Sequence, residues 1–381
     1  MKEINILNIK NLVTFIVLML VAFWGYQANA AEADGTVKWH YSLINFGNNK
    51  HPVMGPDGTI YIADLSGGLH AINQDGTAKW VLYNVGCEVD SSCVDYSGGS
   101  SPTVDADGTI YINGGKNSTD FVAINPDGSL KWSFSPGGGQ ESFQYAAPSI
   151  GRDGTIYVNG NIRFYALNPD GTQKWSFLDG STNYGPSAIA ADGTVYVYNR
   201  SKIYALNPDG SKKWQYPETN ELIVFKSSID RAGPVIGADG TIYVPAITQS
   251  ERFLALNPDG TKKWGLYPNN TLVGTDFSSP AVIDEDGIIY VNGAPENLYV
   301  ISPEGVQIAA VGTATDYPGL QYSPAIAADG TIYVAREFAG FDALNPDGSF
   351  KWIFATNPSG APLIGDDGTV YLSAWDGLYA L

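Results

Sequence analysis

Two short patterns alternate along this chain almost from residue 34 to its last residues, and that repetition constrains the fold more tightly than length or composition. The first reads P-x-x-x-x-(x)-D-G-T-I/V-Y-V/I. Its Asp-Gly pairs begin at Asp57, Asp107, Asp153, Asp192, Asp239, Asp286, Asp329 and Asp367, with Ile288 in place of the usual Thr in the sixth. The second reads A-L/I-N-P-D-G-x-x-K-W, as in the run from Tyr204 to Trp214, with turns at Asp75, Asp127, Asp170, Asp209, Asp259, Glu304 and Asp347.

Each pattern predicts a β-hairpin. A tight turn that needs positive φ favours Asp or Asn followed by Gly, which has no Cβ to clash. Beyond the turn the residues alternate, as in Thr-Ile-Tyr-Val, so that the Tyr lies on one face and its neighbours on the other. Two hairpins make a four-stranded unit of about 40–50 residues, the period of a propeller blade rather than of a helical solenoid. The chain opens its repeats with a lone half-pattern, Asp34–Trp39, and closes with Gly377–Leu381, where the same half-pattern would be due. Together these halves make one blade. The expected fold is therefore all-β, a single eight-bladed propeller of four-stranded antiparallel blades over residues 31–381, its last blade completed by the N-terminal strand. Such closure removes the exposed edges of an open array.

The aromatic residues of the repeat belong to the fold in this reading. Tyr61, Tyr111, Tyr157, Tyr196, Tyr243, Tyr290, Tyr333 and Tyr371 hold one repeat position, and Trp39, Trp80, Trp132, Trp175, Trp214, Trp264 and Trp352 another. They are expected between neighbouring blades. The seventh of the eight Trp positions is Ala309, five residues after Glu304, and the joint there is expected to be the loosest.

Residues 1–30 read as a signal peptide. Lys2 and Lys10 precede an apolar run from Leu12 to Trp24, and Ala28-Asn29-Ala30 offers small residues for cleavage. The run falls short of the roughly 20 residues that span a bilayer, and a retained anchor is the alternative. The chain is thus expected to be exported, to the periplasm or outside the cell. Removal of two lysines and one glutamate takes the formal charge of −18 to −19. That balance argues against nucleic acid and against anionic lipid, because phosphate binding draws on Lys and Arg. Cys87 and Cys93, the two cysteines, share one expected loop and suit a local disulfide in an oxidising compartment. His40, His51 and His70 are the only histidines and read as surface or strand residues rather than zinc ligands.

The run A-L-N-P-D-G-x-x-K-W resembles the tryptophan-docking repeat of the PQQ-like (pyrroloquinoline-quinone) propellers over essentially all of residues 31–381. That family includes quinoprotein alcohol dehydrogenases and the propeller subunit of the outer-membrane β-barrel assembly machinery, and the resemblance implies an eight-bladed ring. The dehydrogenases carry a vicinal Cys-Cys disulfide over the cofactor, a calcium site and a catalytic Asp. Here the cysteines are separated, and no Glu/Asn/Asp set matches residue by residue. The chain is therefore placed in a non-enzymatic branch with no cofactor, PQQ and Ca²⁺ being the alternatives. The Asp-Gly turns, including Asp284–Gly287 and Asp366–Gly368, each supply one or two carboxylates, fewer than converge in a calcium loop.

Function is expected on the irregular connections, since repeated turns serve the fold and variable loops on a rigid scaffold carry binding. The longest span 81–101, 133–147 and 215–233. Several end in an aromatic beside an amide or carboxylate: Tyr145 with Gln144, Tyr184 with Asn183, Phe277 with Asp276, and Tyr322 with Gln321. These are read as ringing the mouth of the central channel, suited to stacking on a sugar or gripping a peptide, with aromatics plugging the channel as the other reading. Arg163, Arg200, Arg252 and Arg336 add scarce cations. No GxSxG, HExxH or P-loop occurs, and no glycosidase carboxylate pair can be nominated. The resulting expectation is a monomeric, non-catalytic propeller that binds a protein or a carbohydrate. A PQQ-dependent dehydrogenase or a polysaccharide-active enzyme on the same fold is the alternative.

Overall fold

The computed structural model describes residues 35–43, 51–64, 68–83, 101–114, 120–136, 141, 143, 147–179, 185–199, 201–218, 224–225, 233–248, 251–267, 277, 279–293, 297–312, 322–336 and 339–381. Within them the repeat folds into eight antiparallel sheets arranged as a propeller. Blade 1 shows the plan, with an inner strand Val53–Met54, a second strand Ile60–Ala63, a third Leu69–Ile72 and an outer strand Ala78–Leu82. Blades 2 to 7 follow over 103–134, 149–177, 188–216, 235–266, 282–312 and 325–354. Blade 8 takes three strands from 363–380 and its outer strand, Trp39–Ser42, from the N-terminal side. Trp39 pairs with Ala380 and Ser42 with Gly377, so the ring closes as the half-patterns require.

Turn chemistry explains both motifs. In blade 1 the Gly58 N–H donates to Gly55 O at 2.9 Å, and Gly58 takes φ of 78°. The Asp57 carboxylate accepts the Thr59 N–H at 3.0 Å, which closes the turn from inside. In the second turn Asn73 donates its amide to the Thr77 hydroxyl at 2.9 Å, while Asp75 accepts the Thr77 N–H and hydroxyl. The motif N-P-D-G-S/T thus describes one self-contained hydrogen-bonded loop.

The Trp is what joins the blades. Its indole Nε1 donates to the carbonyl just before the next blade's Asp-Gly turn: Trp80 to Pro126, Trp132 to Pro169, Trp175 to Pro208, Trp214 to Pro258 and Trp264 to Pro303, each at 2.9 Å. Trp39 does the same to Gln74 at 2.7 Å. The ring then lies flat on the glycine of that turn. A Cβ on Gly76 would come within 2.7 Å of Trp39, and one on Gly210 within 2.6 Å of Trp175. Trp352 meets Gly35 in the same way. Each Trp also leans on the repeat Tyr of its own blade, with centroids 5.6–5.9 Å apart. It stands opposite an alanine of the third strand, as Trp80 does to Ala71 and Trp214 to Ala205. The apolar interior is accordingly divided among the joints, one cluster between each pair of neighbours.

Blade 6 departs from this plan. Val300 faces Ala309 where the other blades oppose Ala to Trp. The side chain nearest the Gly348 turn of blade 7 is Val311. Tyr290, without an indole beside it, donates instead to Asp284 at 3.1 Å.

A second tie runs within every blade except the sixth. The Lys before the Trp reaches back to the first turn: Lys79 donates to Asp57 and Thr59, Lys174 to Asp153 and Thr155, and Lys263 to Asp239 and Thr241. Bonds from Lys79 and Thr59 hold the Asp57 carboxyl down at about 2. At Asp153 and Asp239 partial burial works the other way, but the Thr and Lys bonds outweigh it and both also lie at about 2.

Two outcomes are expected. Trp214→Ala should destabilise the ring by about 3 kcal/mol in a denaturant titration, the lower end for a large aromatic because this indole is only half-buried. The double change Val300→Ala with Ala309→Trp should raise the melting temperature by restoring a docked indole, and an unchanged or lower value would show that the joint between blades 6 and 7 is not limiting. Because folded-state pKa values near 2 lie below the unfolded ~3.9, the stability linked to these Asp residues is complete above about pH 4 and drains away as pH falls toward 2. Melting temperatures measured across that window check the sign.

Candidate functional site

The Asp-Gly turns leave from one side of the ring, so the connections between second and third strands and between blades gather on the other. On that irregular face the described residues form polar nodes in five blades, from fully buried to exposed. In blade 1 the buried Asp64 accepts from His70 Nε2 at 3.0 Å and from the Gly68 N–H at 2.7 Å. A carboxylate only accepts, so Nε2 carries a proton, and Nδ1 lies 3.2 Å from the Tyr41 hydroxyl. Tyr41 belongs to the N-terminal closing strand, and this chain therefore bolts that strand to blade 1. Burial, then the nearby Tyr83 and Asp64, pushes the Tyr41 phenol up.

Glu141, buried in the connection to blade 3, accepts the Ile162 N–H at 2.8 Å and the Tyr165 hydroxyl at 3.0 Å. Burial and the Glu141 charge drive the Tyr165 phenol upward. In blade 4 the Tyr204 hydroxyl donates to Asp179, and in blade 8 Tyr379 donates to Asp376 at 2.6 Å. The third-strand position that supplies His70, Tyr165, Tyr204 and Tyr379 supplies Asp342 in blade 7. Asp342 accepts from Arg336 Nη2 at 2.7 Å, and both residues are buried, at 4% exposure each. Among the described residues Nε and Nη1 of Arg336 have no hydrogen-bond partner. Burial raises the Asp342 carboxyl, while the guanidinium opposes that rise.

The residues nominated from sequence divide into three groups. Tyr145, Gln144, Tyr184, Asn183, Asp276, Gln321 and Arg200 lie outside the described residues, as do Cys87 and Cys93. Phe277 and Tyr322 are described and do not stand open at a mouth. Phe277 pairs with Gly293 and wedges into the joint of blades 5 and 6, 5.3 Å from the Phe253 ring and 5.2 Å from Tyr299. Tyr322 is buried against Ala335, Phe341, Val370 and Leu372, with its ring 6.1 Å from that of His51. Its carbonyl accepts the Asn292 amide at 2.6 Å. Both aromatics close the ring on this side. Arg163 is half-buried at the turn of blade 3, Arg252 donates to Thr248 O at 2.7 Å and lies 5.0 Å over Tyr267, and Arg336 is the buried partner of Asp342.

Sequence reasoning missed Phe143, a fully buried wedge like Phe277, and the nodes around Glu141, Asp64 and Asp342. Only the alternation of Phe143 with Tyr145 hinted at the wedge. Among the described residues no three or more His, Cys, Asp and Glu side chains come together as a metal site would require.

Comparison with known proteins agrees with this architecture. A PQQ-repeat family model, described as outer membrane protein assembly factor BamB, matches residues 88–304, more than half of the chain. The crystal structure of BamB from Moraxella catarrhalis superposes with a TM-score of 0.56 at 16% identity, over 82% of this chain and 86% of that one. A streptogramin B lyase structure superposes with a TM-score of 0.52 at 14% identity, over 90% and 96%. At such identities these likenesses concern the fold. A protein of Bacillus subtilis (strain 168) described as uncharacterized protein YxaL is 35% identical over 65 residues, so the match spans 16% of that relative's length and 16% of this chain.

The Arg336–Asp342 pair provides a direct test of the buried nodes. Asp342→Asn should cost about 3 kcal/mol by leaving a buried guanidinium without its counter-ion, whereas Arg336→Met with Asp342→Leu should recover most of that loss. Equal losses in the single and double variants, by chemical denaturation, would show that the pair is not coupled.

Proposed function

We propose, for a chain that belongs to the BamB-like family of PQQ-repeat propellers, a non-catalytic role as an exported scaffold that holds a protein partner on its irregular loop face. The observation that carries this reading is the contrast between the two faces. Hydrogen-bonded Asp-Gly turns occupy one in near-identical copies. The other presents connections of unequal length and polar nodes in five of the eight blades whose partners come from different connections, which is the arrangement that distinguishes one partner from another.

The family description, an outer-membrane protein assembly factor, favours a protein over a carbohydrate and a location in the cell envelope. Residues 1–30 act as a cleavable signal peptide in this reading, and the described residues contain no helix long and apolar enough to cross a membrane. The proposal routes no chemistry through PQQ or calcium. Partner contact falls to Tyr145, Tyr184 and their amide neighbours, with Arg163 at the edge. Phe277, Tyr322 and Arg336 are supports beneath the surface.

Site-specific photo-crosslinking in the producing cell tests the face. A crosslinker at Tyr145 or Tyr184 should yield a discrete protein adduct, one at Asp170 or Asp209 in the turns should not, and Tyr184→Ala should weaken capture with the melting temperature unchanged. Adducts only from the turn side, or none from either, would remove the loop face from the proposal.

A further inference from the structure

The outer strand of blade 6, Gln307–Gly312, lacks the lysine and the indole that the other outer strands carry. Each of the other seven blades places a lysine just before its Trp: Lys38, Lys79, Lys131, Lys174, Lys213, Lys263 and Lys351. In each of those blades that lysine bonds to the Thr of the first turn. A lysine on an edge strand discourages a further strand from adding there. In blade 6 the lysine is Ile308 and its Thr partner is Ile288.

The consequences are visible along the strand. It runs for six residues and alternates between half-buried and exposed positions, with Ile308, Ala310 and Gly312 on the exposed set. Ile308 is 50% exposed and the adjacent Val306 61%. On its inner side the strand pairs with Asn297–Ile301, and among the described residues no strand pairs with its other edge. Two exposed carboxylates, Glu285 and Asp286, stand in the first turn of the same blade. Asp286 holds the repeat position of Asp57 and Asp239, which receive Lys79 and Lys263 at 2.8 and 2.9 Å, and in this blade the donor is an isoleucine.

We propose that this edge accepts an extended segment of a partner protein as a fifth strand, with alternate apolar side chains against Val306 and Ile308 and a Lys or Arg beside Asp286. The incoming chain would supply main-chain hydrogen bonds along the edge and the cation that the repeat omits here. A second copy of this chain is a poor occupant: its own edge carries no lysine, and two chains each of formal charge −18 would bring matching acidic turns together. The proposal concerns the circumference of the ring and stands independently of the loop-face reading.

The test uses the full protein and fluorescent octapeptides of alternating Lys-Val, Glu-Val and Lys-Gly in physiological salt. Lys-Val should bind at least about tenfold more tightly than either of the others, and hydrogen exchange should slow in residues 307–312. Ile308→Lys, which installs the residue that seven blades already have, should abolish binding without lowering the melting temperature. Asp286→Asn should erase the preference for Lys-Val over Glu-Val. Equal binding of Lys-Gly, binding unaffected by Ile308→Lys, protection elsewhere on the ring, or a dimer that Ile308→Lys dissociates would each overturn the proposal.

Discussion

The whole ring depends on an indole lying on a glycine. A four-stranded blade has two faces and cannot bury either alone, so every blade must be told where its neighbour sits. The Trp of one outer strand does this by donating to the carbonyl before the next blade's turn and by covering the Gly of that turn. That Gly serves two ends at once. It takes the positive φ that ends the turn, and it leaves the space that the ring plane fills. N-P-D-G and K-W, within one run of eight residues, are therefore the socket for one neighbour and the plug for the other. Closure needs both: Trp39 brings a plug to Gly76, and Gly35 brings a socket to Trp352.

Charge in this protein is more structured than its formal value suggests. Many aspartates are engaged inside turns, accepting from a Thr or Ser two residues on, and those of the first turns also accept a lysine. These carboxylates fix geometry before they create a field. Exposed ion pairs of this kind are individually weak, yet here each lysine also bonds to a buried Thr hydroxyl, which ties the outer strand of the blade to its first hairpin. Outside blade 6 the acidic side of the molecule is thus a set of closed local circuits rather than an open patch for a cation.

What could be read in the sequence is what recurs. The blade count, the shared last blade and the burial of the repeat Tyr follow from spacing, because a turn that must be Asp-Gly and a ring that must fill a joint leave the same mark each time. The nodes of the irregular face recur in position but not in residue: His70, Tyr165, Tyr204, Asp342 and Tyr379 share one strand position. Their partners come from different connections, as Glu141 reaches Tyr165 from a loop 24 residues earlier while Asp376 lies three before Tyr379. No pattern in one sequence announces such pairs. Phe277 and Tyr322 illustrate the same limit, since an aromatic at the end of a loop can turn outward to a ligand or inward to a joint. Sequence gives the residue and not the direction, and both turn inward.

Blade 6 shows why exceptions to a repeat should be weighed as sets. Replacing Trp by Ala309 alone would open a hole opposite the usual alanine, but Val300 stands there and fills part of it. Replacing Lys by Ile308 alone would leave a buried Thr hydroxyl without its donor, but Ile288 removes the hydroxyl as well. Each loss is matched by a change at the site it would have injured, so the blade is internally consistent and merely lacks the repeat's outward bonds. A closed ring can tolerate one such member because its neighbours are held by the other joints and by the strand that seals blade 8. The physical result is a sheet edge relieved of the lysine and the indole that elsewhere commit it to the ring. Among the described outer strands, an edge in that state is the one where the fold's own requirements and those of another chain do not compete.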